Sequence, residues 1–447
     1  MTADALCERL VGAGFRTDEA LSRAALVAAA EQTFAATVGT TPRWRWFVPG
    51  RIEVFGKHTD YAGGRSLVSA VPRGIAVVAA SHDGDRVRVT DAIDETTAIV
   101  KPSDPMAASA GWERYIAVVT RRLAANFPGA KLGSDIAIAS DLPRDAGLSS
   151  SSALIVAIAT ALIRCGRLDQ RPEWQHAITS IHELAWYLGC VENGGAYPGL
   201  AGSAGVGTFG GSEDHTAILT CRAGHLSANR YIPVTPLGHV AMPEGWTFVV
   251  GTTGVRAHKA GNARDRYNRL AWATEALRTA WNNVPGRIPA PSLAAALATS
   301  ATAARELAGM TATLPDASFS AVELERRLTH FVREDARVPE AVDAFAAADP
   351  GRLGELASAS QRDADTLLGN QVPETRALVD AAINLNAWAT SSFGAGFGGS
   401  VWAAVADGDA HTFAQEWIKV YGQRCPRATG VETLVAHPSP ALIELTA

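Results

Sequence analysis

Hydrophobic spacing along the chain alternates between helical and strand periods. From residue 1 to about 37, Leu6, Leu10 and Val11, then Leu21, Ala25 and Leu26, recur three and four positions apart and predict helix. From Trp44 to Val100 the apolar runs shorten. Ile75 to Ser81, Arg86 to Thr90 and Thr97 to Val100 read as strands separated by polar turns such as Asp83-Gly84-Asp85. A helix is expected from Trp112 to Asn126. A strand follows over Asp135 to Ser140, where Ile136 and Ile138 alternate, and then a helix over Ser151 to Cys165, an apolar run without glycine or proline. Another helix is expected through Gln175 to Leu188, and Ala217 to Cys221 is expected to pair as a strand with His225 to Ile232 across Arg222-Ala223-Gly224. Beyond Pro236, Thr247 to Gly251 reads as strand and Asn262 to Trp281 as an amphipathic helix. Ala-rich helical segments continue to about Ala389, interrupted near Pro285, Pro315, Pro339 and Pro350. Val401 to Val405 and Gly430 to Val435 then read as strands flanking a helix at His411 to Tyr421.

Separated strands and helices predict an α+β protein. At 447 residues the chain exceeds the usual size of one hydrophobic core, so two domains are expected, with a boundary near residues 235–245. A net charge of −5 and the lack of a Lys/Arg cluster argue against a nucleic-acid partner. The longest apolar segment, Ala153 to Ile163, is too short to span a bilayer. No basic head precedes an apolar stretch at the N-terminus, so a signal peptide is not expected. Five cysteines without a CxxC pair suit reduced thiols in the cytoplasm better than a disulfide framework or zinc site.

Three segments carry candidate chemistry. Gly147-Leu148-Ser149-Ser150-Ser151-Ser152, after Asp141-Leu142-Pro143-Arg144-Asp145-Ala146, joins the strand ending at Ser140 to the helix ending at Cys165. Such a turn offers an anion unpaired backbone N–H groups, the positive end of a helix dipole and several hydroxyls, and phosphate is the natural guest. It is not a Walker loop, because no Gly-Lys-Ser/Thr follows. A flexible serine-rich linker is the alternative, but the run is clamped between an apolar strand and an apolar helix. The second segment, Pro49-Gly50-Arg51-Ile52-Glu53-Val54-Phe55-Gly56-Lys57-His58-Thr59-Asp60-Tyr61-Ala62-Gly63-Gly64, mixes donors and charged acceptors as hydroxyl-rich ligands require. A polar turn between strands would look similar. The third, Phe393-Gly394-Ala395-Gly396-Phe397-Gly398-Gly399-Ser400, would let backbone approach a ligand closely, or make a tight turn.

Taken together and in this order, the three segments resemble the GHMP kinase superfamily, and its galactokinase branch most closely. That branch carries a Pro-Gly-Arg segment ending Gly-Glu-His-Thr-Asp-Tyr, a Pro-x-x-x-Gly-Leu-Ser-Ser-Ser loop and a late Gly-x-Gly-Phe-Gly-Gly. The resemblance implies a two-domain GHMP kinase fold, with a ribosomal-protein S5 domain 2-like N-terminal domain (1–238) and a ferredoxin-like C-terminal domain (239–447), and an active site between them. It further implies ATP-dependent phosphorylation of a monosaccharide, at the anomeric hydroxyl of galactose or a related sugar, with Mg²⁺. The implied partners are the small-molecule sugar and ATP, with neither nucleic acid nor membrane.

On this resemblance Gly147, Leu148, Ser149, Ser150, Ser151 and Ser152 bind the nucleotide phosphates. Trp112, with Tyr115, lies near adenine, and Ser151 and Glu192 hold the metal. Arg51 faces the transferred phosphate, and His58 and Asp60 contact the sugar. The proton acceptor has two registers. One puts Ala204 at the position and leaves no base. The other reads Gly211-Ser212-Glu213-Asp214-His215 as the motif and supplies Asp214, with Glu213 as fallback. Lys57 departs from the family, which has glutamate there, and a cation can only donate hydrogen bonds. That reversal raises a sugar acid such as galacturonate as a substrate, or else a Lys57–Asp60 pair without effect on specificity. Counting through the segment after Gly251 places Arg264 at the family's sugar-side tyrosine, with Tyr267 a turn later. Two alternatives remain: a kinase for another small alcohol, and an ATP- and sugar-binding sensor without turnover.

Overall fold

The computed structural model describes residues 2–105, 111–143, 147–255, 262–313 and 318–446. Arg144, Asp145 and Ala146 of the expected phosphate turn, and Pro315, lie outside the described residues.

Two helices open the chain, α1 (Ala3–Ala13) and α2 (Thr17–Val38). Thr2 caps the first, and the left-handed Gly14 and Gly39 end them, as glycine permits at a helix C-terminus. The first sheet contains β1 (Trp44–Phe55), β2 (Arg65–Ser81), β3 (Val87–Asp91), β4 (Thr96–Val100) and β5 (Ser134–Ser140). Its order continues from β12 (Ile443–Glu444) as β12-β1-β2-β5-β3-β4, while β6 (His225–Arg230) pairs with β2 and β7 (Thr235–Ala241) with β6. Strand periodicity divides the buried residues between two faces. Phe47, Ala76, Val78, Ala137 and Ala139 meet Val27 and Phe34 of α2. Val48, Ile75, Val77, Ile136 and Ile138 meet α3 (Glu113–Asn126) and α4 (Ser150–Cys165) on the other side. Helices on both faces explain why β1 is buried from Trp46 to its end.

Two expectations are corrected here. The helix foreseen over Gln175 to Leu188 is two, α5 (Pro172–Ala177) and α6 (Ile181–Asn193), because Ile178 turns extended and the Ser180 side chain caps a new start. Ala217 to Cys221 is no strand: Ala217 to Thr220 end α7 (Glu213–Thr220), and Cys221 is its C-cap. A five-residue, mostly apolar run does not distinguish strand from helix by period. Here Ala217 faces Val68 and Ala70 while Ile218 and Leu219 enter the main core, so the run is buried on several sides. His225–Arg230 finds its partners in β2 and β7 instead.

The second sheet has the order β11-β8-β10-β9, from β8 (Trp246–Thr252), β9 (Ala389–Phe393), β10 (Ser400–Ala406) and β11 (Thr433–Ala436). With α13 (Pro373–Asn384) before β9 and α14 (Ala410–Arg424) before β11, this is a β-α-β-β-α-β ferredoxin-like core. One face packs Val249, Val401 and Val405 on Leu378, Trp417 and Tyr421. On the other, Trp402 meets Phe55 at 6.1 Å and Phe248 at 5.6 Å between ring centres, joining the two sheets through one core. Inserted between β8 and β9 are α8 (Asn262–Asn282), α9 (Leu293–Leu297), α10 (Ala303–Met310), α11 (Ala321–Ala346) and α12 (Pro350–Asp363). The chain changes sheet between Ala241 and Trp246, and its end returns to pair with Trp46 and Phe47 of β1. No helix among the described residues is long and apolar enough to cross a membrane.

Candidate active site

Arg51 and Glu53 sit two residues apart on β1, so both side chains reach the same side of the sheet. That side opens into a cleft of about 800 Å³ between the two sheets, lined by residues of all three glycine- and hydroxyl-rich segments. The serine turn enters it through Gly147 (φ 80°) and Ser149 (φ 60°), left-handed conformations that aim the turn at the start of the sixteen-residue α4. The Ser149 hydroxyl is buried and finds no hydrogen-bond partner among the described residues, a polar atom that a phosphate oxygen would satisfy. On the far side the glycine turn runs in left-handed backbone from Gly394, and a β-carbon there would lie 3.3 Å from the Gly147 carbonyl.

Arg51 joins these parts. Its Nη1 donates to the Gly147 carbonyl at 2.6 Å, and its backbone N–H to that of Leu148 at 3.3 Å. Nε and Nη2 reach Asp214 Oδ1 at 2.7 and 2.6 Å, and Glu213 Oε1 is 3.7 Å from Nε. Ser152 Oγ donates to the other Asp214 oxygen at 3.1 Å. Glu53 accepts the Gly394 N–H at 2.8 Å, tying the glycine turn to β1. Asp60 accepts the Glu213 N–H at 3.2 Å, tying the sugar-side loop to α7.

Buried charge governs the electrostatics. Burial works against the Arg51 cation, but Asp214, Glu213 and Glu53 more than offset it and its pKa is raised. Burial pushes Glu53 up to about 7 despite Arg51 and Lys57, and Asp60 up to about 6. Glu213 is raised well above the carboxylate range, by burial first and then by Glu53 and Asp60. His58 is held down to about 3 by burial and by the Arg327 charge, so it faces the cleft as neutral imidazole.

The sequence matches the description "Galactokinase galactose-binding signature" over residues 32–81, "GHMP kinases N terminal domain" over 114–187 and "GHMP kinases C terminal" over 341–423. The galactokinase of Streptomyces coelicolor is 29% identical over 416 residues, covering 89% of this chain and 94% of that one. The galactokinase of Actinobacillus pleuropneumoniae serotype 3 is 27% identical over 385 residues, 85% of this chain and 89% of its own. Among solved structures, Lactococcus lactis galactokinase complexed with galactose superposes with a TM-score of 0.75 at 21% identity, over 93% of this chain and 99% of that one. The chain belongs to the galactokinase-like branch of the GHMP kinase superfamily.

In this GHMP kinase the cleft gathers the sequence-predicted candidates Arg51, His58, Asp60, Trp112, Gly147, Ser149, Ser150, Ser151, Ser152, Glu192 and Asp214 on one lining. Two candidates are not on its lining. The Leu148 side chain enters the core, leaving its carbonyl to Arg51. Lys57 is 1% exposed, with Nζ donating to Ser360 Oγ at 2.6 Å and Ser391 Oγ at 2.8 Å. Its nearest opposite charge in effect is Glu334, not Asp60, and burial lowers its pKa. The charge reversal at position 57 therefore compensates a buried carboxylate, and the case for a sugar acid loses its motive.

Asp214, the carboxylate supplied by the register through Gly211, meets Arg51 in the cleft. A β-carbon on Gly211 would fall 2.3 Å from Asp60 Oδ2, which explains the glycine there. Glu53 was overlooked, although a lone acid in the apolar strand after Arg51 is a signal. Arg264 and Tyr267 both line the cleft, and the Tyr267 ring lies 5.3 Å from that of His58.

The donor set also suits a hard divalent cation carried on a nucleotide. Among the described residues no group of three or more His, Cys, Asp or Glu side chains forms a cage. One carboxylate, Glu192, and the Ser151 hydroxyl share the lining with the phosphate turn. Mg²⁺ is commonly held by one or two carboxylates, with substrate phosphates and water completing its shell.

Proposed function

We propose that the protein is an ATP-dependent sugar kinase that phosphorylates the anomeric hydroxyl of galactose or a close relative, giving the sugar 1-phosphate and ADP. The observation that carries this reading is Arg51, which touches the serine turn at Gly147 and the carboxylate of Asp214 within one cleft. A phosphate seated on Gly147 to Ser152 then lies beside a guanidinium that also touches a proton acceptor. The galactokinase names of the relatives and of the structural neighbour support galactose as the acceptor.

Phosphoryl transfer asks the protein mainly for positioning and charge neutralisation. The start of α4 and the serine hydroxyls hold the nucleotide phosphates. Trp112 and Tyr115, against Leu154 and Ile138, give the adenine an apolar wall. His58, Asp60 and Tyr267 surround the sugar end. Asp214 accepts from Arg51 through Oδ1 and from Ser152 through Oδ2, and its carboxylate is the acceptor for the sugar proton. Arg51 stays cationic beside it and offsets charge developing on the transferred group. Mg²⁺ would be held by Glu192 and Ser151 and supplies charge neutralisation to the phosphates. All five cysteines are thiols, which fits work in the cytoplasm.

Release of ADP from ATP and Mg²⁺, measured across a panel containing galactose, galacturonate, other hexoses and mevalonate, tests the reading. Turnover with galactose and a sugar product phosphorylated at the 1-position support it. A clear preference for galacturonate or mevalonate overturns the acceptor, and ATP binding without turnover on any member would make the protein a sensor.

A further inference from the structure

The sugar-side loop, residues 56–65, does not hold its own shape. Its internal hydrogen bonds centre on Thr59, whose hydroxyl donates to the Gly56 and Arg65 carbonyls at 2.8 and 2.7 Å. Outside the loop, Asp60 is tied to α7 and His58 Nε2 to the Ala395 carbonyl, and a further set of ties runs to α11, a helix inserted between strands of the other sheet. Arg327, Glu334 and Asp335 stand seven and eight residues apart on α11, two turns along one face. Arg327 is 1% exposed. It donates through Nη2 to the His58 carbonyl and, at 3.1 Å, to Tyr61 Oη, and through Nε to the Leu270 carbonyl at 3.2 Å. Tyr61 Oη is in turn 2.9 Å from His58 Nδ1, so the guanidinium reaches both the backbone and the ring of a cleft residue. Two turns on, Glu334 accepts the backbone N–H groups of Gly56 and Lys57 at 3.1 and 3.3 Å, and the Ser360 hydroxyl bound by Lys57 Nζ at 2.9 Å. Asp335 accepts the Arg65 N–H at 2.7 Å and pairs with its guanidinium.

The packing is close enough to dictate composition. A β-carbon on Gly64 would sit 3.0 Å from the Phe331 ring and 3.1 Å from Asp335 Oδ1, so α11 presses directly on the loop backbone.

We propose that α11 is a splint for the sugar half of the active site, with Arg327 as a positioning residue that fixes His58 and Tyr61 from behind, and with Glu334 and Asp335 fastening the two ends of the loop. None of the three lines the cleft. They act through the loop, and the nucleotide half, built on α4 and the serine turn, does not depend on them. This rests on the sugar-kinase reading above.

The geometry predicts a split between substrates. Arg327→Lys keeps the charge but replaces a planar fork with a single ammonium, which cannot serve the His58 carbonyl, Tyr61 Oη and the Leu270 carbonyl together. A loop displaced by a fraction of an ångström misplaces the acceptor hydroxyl, so sugar KM is expected to rise by about tenfold and kcat to fall. KM for ATP should stay within about twofold. Asp335→Asn, at a half-exposed ion pair where the fold is less at risk, should raise sugar KM by about threefold with the same indifference toward ATP. Both variants and the wild-type protein are assayed with galactose and ATP, with thermal unfolding recorded for each. Sugar KM unchanged in a folded R327K and in D335N overturns the splint, and so does a rise in both substrates' KM together. If R327K does not fold, D335N alone decides between those outcomes. Failure of the wild-type protein to turn over any sugar would instead count against the kinase reading.

Discussion

Replacing Arg51 with lysine separates charge from geometry at the centre of the cleft. The arginine makes three side-chain contacts of 2.6 to 2.7 Å, two to Asp214 and one to the Gly147 carbonyl. A lysine ammonium is a single point on a flexible stem and can keep one of these at full strength. The two lost contacts are charge-assisted, and removing one fixed donor from a transition state costs on the order of 3 kcal/mol, a factor of about a hundred to a thousand. Arg51→Lys should therefore lower kcat by that factor. KM for ATP should change far less, because α4 and the serine hydroxyls still hold the phosphates. ADP release at saturating sugar and ATP gives kcat directly. Thermal unfolding run in parallel guards against collapse of the cluster of buried Glu53 and Glu213 and partly buried Asp214, which keeps a positive charge in this variant. A kcat within about tenfold of wild type would refute the role assigned to the arginine fork.

Glu192→Gln should raise the Mg²⁺ concentration for half-maximal rate by about tenfold or more, read from a metal titration of ADP release, since a neutral amide is a poor ligand for a hard cation. Lys57→Met should lower unfolding free energy in a urea titration by about 3 kcal/mol, because a buried cation that compensates Glu334 is removed while Arg337 remains at 2.8 Å. In that variant the galactose-to-galacturonate rate ratio should hold, since Lys57 is off the cleft lining. His437 lies 3.2 Å from Glu19 and 2.8 Å from Asp407; burial opposes its charge, but the two acceptors outweigh it and its pKa is raised above 6.5. Its contribution to stability is present in full below 6.5 and fades as pH rises through the raised value. His437→Gln should accordingly lower the melting temperature most near pH 5.5 and least near pH 9.

Much of the nucleotide half was legible in the order of the residues. A glycine and four hydroxyls between an apolar strand and an apolar helix can be recognised locally, because a helix start makes its own anion site whatever surrounds it. Asp60 and Arg51 were likewise marked by charge among glycines. Other features depend on what lies across a fold from them. Lys57 read as a group facing sugar because it stands where the family has glutamate, beside His58 and Asp60; its true partners, Ser360, Ser391 and Glu334, are about three hundred residues away in sequence. Ala217–Leu219 read as strand because a short apolar run has no period, and only burial on several sides makes it helix. The choice between Asp214 and Ala204 was open in one dimension; the contact that favours Asp214 is with Arg51, 163 positions away in the chain and 2.7 Å away in space. Local chemistry announces which residues are unusual, whereas burial and long-range pairing set which of them share one cavity and which are spent holding its walls.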